Sequence, residues 1–164
     1  MTHDPARDRS EEVTVRLAHE GDFDALTELW ERATRSSHGF LSADDVAEGA
    51  PWIRDALLPS MQVWLAEDAR RRPLGFVGAR GTHVELLYVE PDAQGGGIGT
   101  LLLDLVGEPP EGATSVEIYA ENAVGRAFYT ARGFEAVRTS PTDAFGRPHP
   151  VVQLVRGPTA GRQG

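Results

Sequence analysis

Apolar residues recur with two different periods along this chain, and the changes of period mark its elements. "VTVRLA" (13–18) alternates apolar and polar positions, as a half-buried strand does. From Phe23 the spacing becomes helical. Phe23, Leu26, Leu29, Trp30 and Ala33 share one face, and Asp22 stands where it can cap the start. Glu28 with Arg32, and Glu31 with Arg35, are spaced for i,i+4 pairs on the wet side. "SSHGFLS" (36–42) ends that helix. Ser42 starts a second one, which Gly49 and Pro51 are expected to split. Three strand patterns follow, "QVWLAED" (62–68), "LGFVGARG" (74–81) and "HVELLYVE" (83–90), with turns at "RRRP" and Gly81. A glycine-rich stretch then leads into a helix over about 97–105. "ATSVEIYA" (113–120) is a strand, and "NAVGRAFYTARG" (122–133) is a helix closed by Gly133. "FEAVRTS" (134–140) and "PVVQLVR" (150–156) finish as a hairpin around "DAFGRPHP".

The order β-α-α-β-β-β-α-β-α-β-β predicts an α/β (α+β) fold. Meander strands early and βαβ units late imply a mixed central sheet of about six or seven strands with helices on both faces. One domain is expected over 12–156, with disordered tails at 1–11 and 157–164, where the sequence is polar or rich in Gly and Pro.

Composition narrows the function. The chain has 164 residues, 40% hydrophobic and 25% charged, an ordinary globular mix with room for one core. No apolar run is long enough to span a membrane, and the N-terminus carries no apolar signal region, so a cytoplasmic location is expected. Cysteine is absent, which removes disulfides, zinc–thiolate sites and a cysteine nucleophile. The histidines have no metal-ligand spacing, and no metal is expected. A net charge of −9 argues against nucleic-acid binding and mildly favours cationic partners. All 16 basic residues are arginine, which fits either the codon bias of a GC-rich bacterial genome or avoidance of modification at lysine amines.

The glycines at 95–97 stand at the door of an apolar run that otherwise reads as helix, and Gly99 follows one turn inside. Glycine is a poor helix former. At a helix start, however, free N–H groups and the positive end of the helix dipole make an anion site, and glycine lets a ligand approach the backbone. A Walker loop would need Gly-Lys-[Ser/Thr], and Gly99-Thr100 lacks the lysine. A dinucleotide fold would need a third glycine, where Leu102 stands.

"VEPDAQGGGIGTLLL" resembles the acyl-CoA-binding motif of the GNAT superfamily of N-acetyltransferases, V-x-P-x-x-[RQ]-G-x-G-[IV]-G-x-x-L-[LM]. Gln94, Gly95, Gly97, Ile98 and Gly99 fill its key places. "ENAVGRAFYTARGFE" resembles that family's N-x-x-A-x-x-F-Y-x-x-x-G-F, with Asn122, Phe128, Tyr129, Gly133 and Phe134 matching. One departure is Gly125 where alanine is usual. The likeness is to small stand-alone bacterial members and covers about 13–156. It implies acetyl-CoA as co-substrate, with the pyrophosphate on the amides of Gln94, Gly95, Gly96, Gly97, Ile98, Gly99 and Thr100. It also implies a pantetheine arm laid along the backbone of Leu87, Tyr88 and Val89, with Asn122 and Phe128 beside it. A backbone N–H near Val89 would hold the thioester oxygen.

The implied chemistry is direct attack of an amine within a ternary complex. Tyr129 is the candidate general acid, since a phenol can protonate a departing thiolate; the alternative is a packed aromatic beside Phe128. Glu85 is the candidate base. It stands in an otherwise apolar strand, on the side of Leu87 and Val89 if alternation holds, with His83 or water as alternatives. "SSHGFL" resembles the acceptor-side loop S-x-H-x-F-L, so His38 and Phe40, with Trp52, are candidate substrate contacts. Asp143 and His149, in a segment resembling D-x-x-G-x-P-x-P-x-x-x-L, either face the cleft or build a turn. The acceptor is a small-molecule or peptide amine, and the assembly a monomer or homodimer. An acyl-CoA sensor on the same fold is the rival reading.

Overall fold

The computed structural model describes residues 12–107 and 112–157. The tails expected at 1–11 and 157–164 lie outside the described residues, apart from Gly157. Seven strands form one sheet: β1 Thr14–Leu17, β2 Gln62–Glu67, β3 Pro73–Arg80, β4 His83–Val89, β5 Ser115–Tyr119, β6 Glu135–Ser140 and β7 Val151–Val155. Their order is β1-β2-β3-β4-β5-β7-β6. The first four strands make the expected antiparallel meander. β4 and β5 are parallel, and β7 pairs antiparallel with both β5 and β6. The final hairpin therefore folds back, so that the last strand sits inside the sheet and β6 takes the edge.

The helices are α1 Phe23–Ser37, α2 Ala43–Trp52, α3 Ile98–Leu103 and α4 Ala123–Ala131. They cover both faces of the sheet. Leu26, Leu29, Trp30, Val46 and Ile53 from the α1/α2 side pack with Leu65, Phe76 and Leu86. Leu102, Leu103, Tyr129 and Phe134 from the α3/α4 side pack with Val77, Val84, Val116 and Leu154. Two apolar clusters on opposite faces of one sheet make a three-layer α/β fold.

Local details depart from sequence expectation in three places. Asp22 is the residue before α1, but its side chain does not cap the helix. Its carboxylate accepts from Arg16 Nη1 at 2.8 Å and from the His19 amide at 2.9 Å, and the Arg16 guanidinium holds it well below the usual carboxylate range. Arg32 turns away from Glu28 to the buried Glu90, with Nε 2.8 Å from Oε1. That pair ties α1 to the turn ahead of the glycine stretch. The Glu31–Arg35 pair forms as expected. The second helix is not split. Ser42 and Asp45 form a capping box, Pro51 lies inside α2, and the chain widens into a π turn at Ile53–Leu57. Gly49 serves packing there, because a Cβ would meet the Trp30 ring at 2.9 Å.

Candidate active site

The sheet splits at its centre. β4 and β5 pair only at His83–Ser115 and Val84–Val116, then diverge. The inner edges of Glu85 to Val89 and of Glu117 to Tyr119 border a cavity of about 930 Å³ that runs between the helical layers. Backbone groups along such an opening lack ladder partners and can pair with an extended ligand. Leu87, Tyr88 and Val89 line it, as do Gln94, Gly95, Gly97, Ile98, Gly99 and Thr100.

The glycine turn has the shape of an anion cradle. Gly95 and Gly97 take left-handed φ values of +84° and +85°, which side-chain-bearing residues rarely adopt, and no atom lies within 4 Å of either Cβ position. Gly97 is the residue ahead of α3. Gly99 serves a different need. A Cβ there would stand 3.2 Å from Phe128 Cε1, so its absence lets α3 close on α4. Gly96 is exposed on the outer crest and does not line the cavity. Gln94 folds back, and its Nε2 donates to the Val89 carbonyl at 3.2 Å.

From α4 come Asn122, Phe128 and Tyr129. Asn122 caps the helix: its Oδ1 accepts from the Gly125 amide at 3.0 Å. A Cβ at 125 would lie 2.4 Å from Asn122 Nδ2 as that side chain stands, so an alanine there would require the cap to shift. Tyr129 is 4% exposed and packs edge-on between Phe128 and Phe134. Its hydroxyl makes no hydrogen bond to another described residue, and burial raises its pKa. The phenol is thus protonated at any working pH, the state an acid must start from. Gly133, at φ +91°, closes the helix, and the Phe134 amide donates back to the Tyr129 carbonyl.

The wall on the α1/α2 side is aromatic and acidic. His38 is 5% exposed, and burial pushes its pKa down to about 4, so the ring is neutral. Its Nδ1 lies 2.6 Å from Ser37 Oγ, whose own proton goes to the Ala33 carbonyl. Its Nε2 is 3.5 Å from Asn122 Nδ2. This arrangement assigns the ring proton to Nδ1 and leaves Nε2 as an acceptor. Trp52 stands at the outer wall against Phe145, at 5.2 Å between centroids. Phe40 does not line the cavity. It sits behind Tyr119 and His149, at 5.1 and 5.5 Å, and shapes the wall from the rear.

Glu85 departs from the alternation assumed for it. Gly78 pairs with Leu86 and Ala79 with Val84, so Glu85 is the extra residue of a β-bulge. Val84 joins the α3/α4 cluster with Leu87 and Val89, whereas Leu86 joins the α1/α2 cluster. The period is broken at Glu85, so alternation with Leu87 and Val89 does not decide its face. Its carboxylate reaches the cavity wall but accepts from Arg80 Nη1 at 2.9 Å. His83 is engaged with Ser115 Oγ at 2.7 Å.

Three lining residues escaped sequence reasoning. Glu117, on β5, alternates with Val116 and Ile118 and therefore projects from the α1/α2 face. Its carboxylate makes no hydrogen bond or ion pair to another described residue. Tyr119, two residues on, donates to Asp143 Oδ2 at 3.0 Å. Asp143, 7% exposed, also organises its own turn by accepting from the Phe145 and Arg147 amides. It thus lines the cleft and builds the turn at once, and Arg147 fastens that turn to Asp45 and Glu48 of α2. The third is Arg132, whose guanidinium lies 3.7 Å over the Phe128 ring. Alternation could have found Glu117, since a lone acidic residue in an apolar strand is the signal that drew attention to Glu85. No helix among the described residues is long and apolar enough to cross a membrane, and none of their acidic or histidine clusters forms a metal site.

Residues 59–136 match the family described as "Acetyltransferase (GNAT) domain". The chain is 32% identical over 143 residues to a peptidyl-lysine N-acetyltransferase of Escherichia coli, YjaB, spanning 87% of this chain and 95% of that protein. It is also 32% identical over 147 residues to a second Escherichia coli peptidyl-lysine N-acetyltransferase, YiaC, with 86% and 99% covered. The solution structure of apo YjaB superposes with a TM-score of 0.75 at 28% identity, over 88% of this chain and 97% of that one. With this split sheet and this glycine turn already in place, such relatives leave one assignment: the chain belongs to the GNAT family of N-acetyltransferases.

Proposed function

We propose that this protein transfers an acetyl group from acetyl-CoA to the primary amine of a lysine side chain in a peptide or protein. The observation that carries the reading is the polarity of one continuous cavity. The α3/α4 side holds the glycine turn, the start of α3 and Arg132; on the other side Glu117 projects from the α1/α2 face and the turn of Asp143 is tied to α2. An anionic donor and a cationic acceptor are thereby drawn to opposite faces of the sheet, with the β4–β5 opening between them. The overall charge of −9 does not oppose this, because distant charges are screened while loop amides act at contact range. The two Escherichia coli relatives named for peptidyl-lysine support the acceptor class.

The residues present fit the donor: the left-handed glycines leave an open cradle, and the diverging strands offer backbone for the pantetheine arm. Bound acetyl-CoA would supply an acetyl thioester. On the acceptor side, Glu117 takes a proton from the incoming ammonium and leaves the nitrogen a lone pair. The Glu85 carboxylate is already engaged by Arg80, and it instead adds to the field that attracts the cation. A backbone N–H at the Val89 end of β4 donates to the thioester oxygen as negative charge grows there. Tyr129 donates its phenolic proton to the sulfur as the carbon–sulfur bond breaks; the second proton of the attacking nitrogen, lost as the amide forms, restores the phenol, and the proton taken by Glu117 is the one released to solvent. His38, neutral and acceptor-only at Nε2, orients the amine without competing for its proton.

The experiment is thiol release, read with DTNB, from acetyl-CoA in the presence of a lysine-containing peptide and of the same peptide with its lysine blocked. Release that requires the free lysine is expected. Calorimetric binding of CoA without release to any amine would refute the transferase and leave an acyl-CoA sensor.

A further inference from the structure

The glycine turn that faces the donor carries no positive side chain. From Asp92 to Thr100 the sequence has one acidic residue and no basic one, and the family position that admits arginine or glutamine holds Gln94. A pyrophosphate with a further phosphate is a concentrated anion, and amides with a six-residue helix offer only partial charges. Among the described residues lining the cavity, Arg132 is the one cation.

Its setting differs from that of a surface arginine. Nη1 donates to the Phe128 carbonyl at 2.7 Å, and Nη2 donates to Thr100 Oγ1 in the first turn of α3. The guanidinium plane lies over the Phe128 ring, and Nε is buried with no hydrogen-bond partner. A planar cation is thus pre-aimed at the start of α3 by the ring that packs on Gly99. The stack and the Phe128 bond fix the plane, so little side-chain freedom is left to lose when an anion arrives. The bond to the Thr100 hydroxyl is a neutral acceptor's bond, which a phosphate oxygen would improve on.

We propose that Arg132 is the phosphate-neutralising residue of the donor site, the side-chain charge that the glycine turn lacks. This rests on the acetyl-CoA reading above. It makes Arg132 a binding residue for the phosphates and assigns it no part in acyl transfer.

The test compares wild type with Arg132→Gln and Arg132→Met, which remove the charge, and Arg132→Lys, which keeps it. Calorimetric titration with CoA, dephospho-CoA and 4′-phosphopantetheine is read beside turnover with acetyl-pantetheine, which has no phosphate. Both neutral variants should lose at least about tenfold in CoA affinity, the scale of a charge-assisted phosphate contact, with a shallower dependence of affinity on salt. Arg132→Lys should retain most of the affinity, and the neutral variants should lose several-fold less kcat/KM with acetyl-pantetheine than with acetyl-CoA. The phosphate whose removal abolishes the difference between wild type and variant identifies the group that Arg132 holds. Unchanged CoA affinity in either neutral variant would overturn the proposal, as would equal losses with acetyl-pantetheine or an Arg132→Lys as weak as Arg132→Gln. Should Arg132→Gln fail to fold, Arg132→Met, which keeps an apolar stem over Phe128, carries the comparison. If wild type itself binds no CoA, the acetyl-CoA reading falls instead.

Discussion

Gly97 offers a way to isolate charge from shape in the donor cradle. Its φ of +85° penalises any side chain, and nothing lies within 4 Å of its Cβ position, so a substituent meets strain but no clash. Asparagine and aspartate are the side chains that best tolerate this region, and they have nearly the same size. Gly97→Asn and Gly97→Asp therefore share a strain of order 1 kcal/mol and should show the same thermal unfolding midpoint without ligand. They differ in one unit of negative charge at the mouth of the cradle. Two unit charges about 4 Å apart interact with about 1 kcal/mol in bulk water and about 4 kcal/mol near a protein surface. The aspartate should therefore bind CoA more weakly than the asparagine by about 5-fold to about 1,000-fold. Calorimetric titration of both proteins with CoA measures the ratio, and repeating it at high salt should narrow it as the Debye length shrinks. Equal CoA affinities in the two folded variants would refute the placement of the pyrophosphate on this turn.

Tyr129→Phe should lower kcat by about 10² to 10⁴ while CoA affinity and the unfolding midpoint hold, because the hydroxyl makes no hydrogen bond to another described residue; wild-type turnover in the thiol assay would reduce Tyr129 to packing. Glu117→Gln should cost most activity at low pH and recover as pH rises toward the ordinary lysine pKa of about 10.4, whereas Glu85→Gln should shift the whole profile less. The reverse order of the two pH–rate profiles would hand the base role to Glu85. Burial of His38 lowers its pKa from 6.5 in the unfolded chain to about 4 in the fold, so the neutral form is the one stabilised. Stability from this source is complete above about pH 6.5 and drains away as pH falls to about 4, by about 3 kcal/mol in all. Urea unfolding at pH 7 and pH 4.5 should show His38→Gln flattening that loss, and an undiminished slope would mean that other groups set it.

Elements and their order were legible because each helix and strand here follows its own period over enough residues to be read, and because the two glycine-bearing motifs have local causes. The left-handed turn at Gly95 and Gly97 and the Asn122 cap are both decided within a few residues. Glu85 shows the opposite case. Whether a residue in an apolar strand keeps the alternation depends on the register with β3, and a bulge is a property of the pair. Pro51 inside α2 is similar: the rule that proline ends helices was overridden by Trp30 packing on Gly49 and by the π turn that follows. Arg132 was invisible because its meaning lies in Thr100, 32 residues away in sequence. The position of β7 could not be read either, since a hairpin pattern predicts that two strands are neighbours but not which of them faces the rest of the sheet.

That position bears on how the molecule comes into being on the ribosome. β1 to β4 pair in sequence order, so with α1 and α2 they can consolidate as soon as they emerge. The other half cannot. β5 touches β4 through two residue pairs, and β6 has no sheet partner until Val151–Val155 slots between them. Until that strand arrives, β5 and β6 present open strand edges, which are aggregation-prone surfaces. The step that completes the sheet is also the step that braces β5, so the split keeps only its β4 wall, with α3 packed against it, until Val151–Val155 is in place.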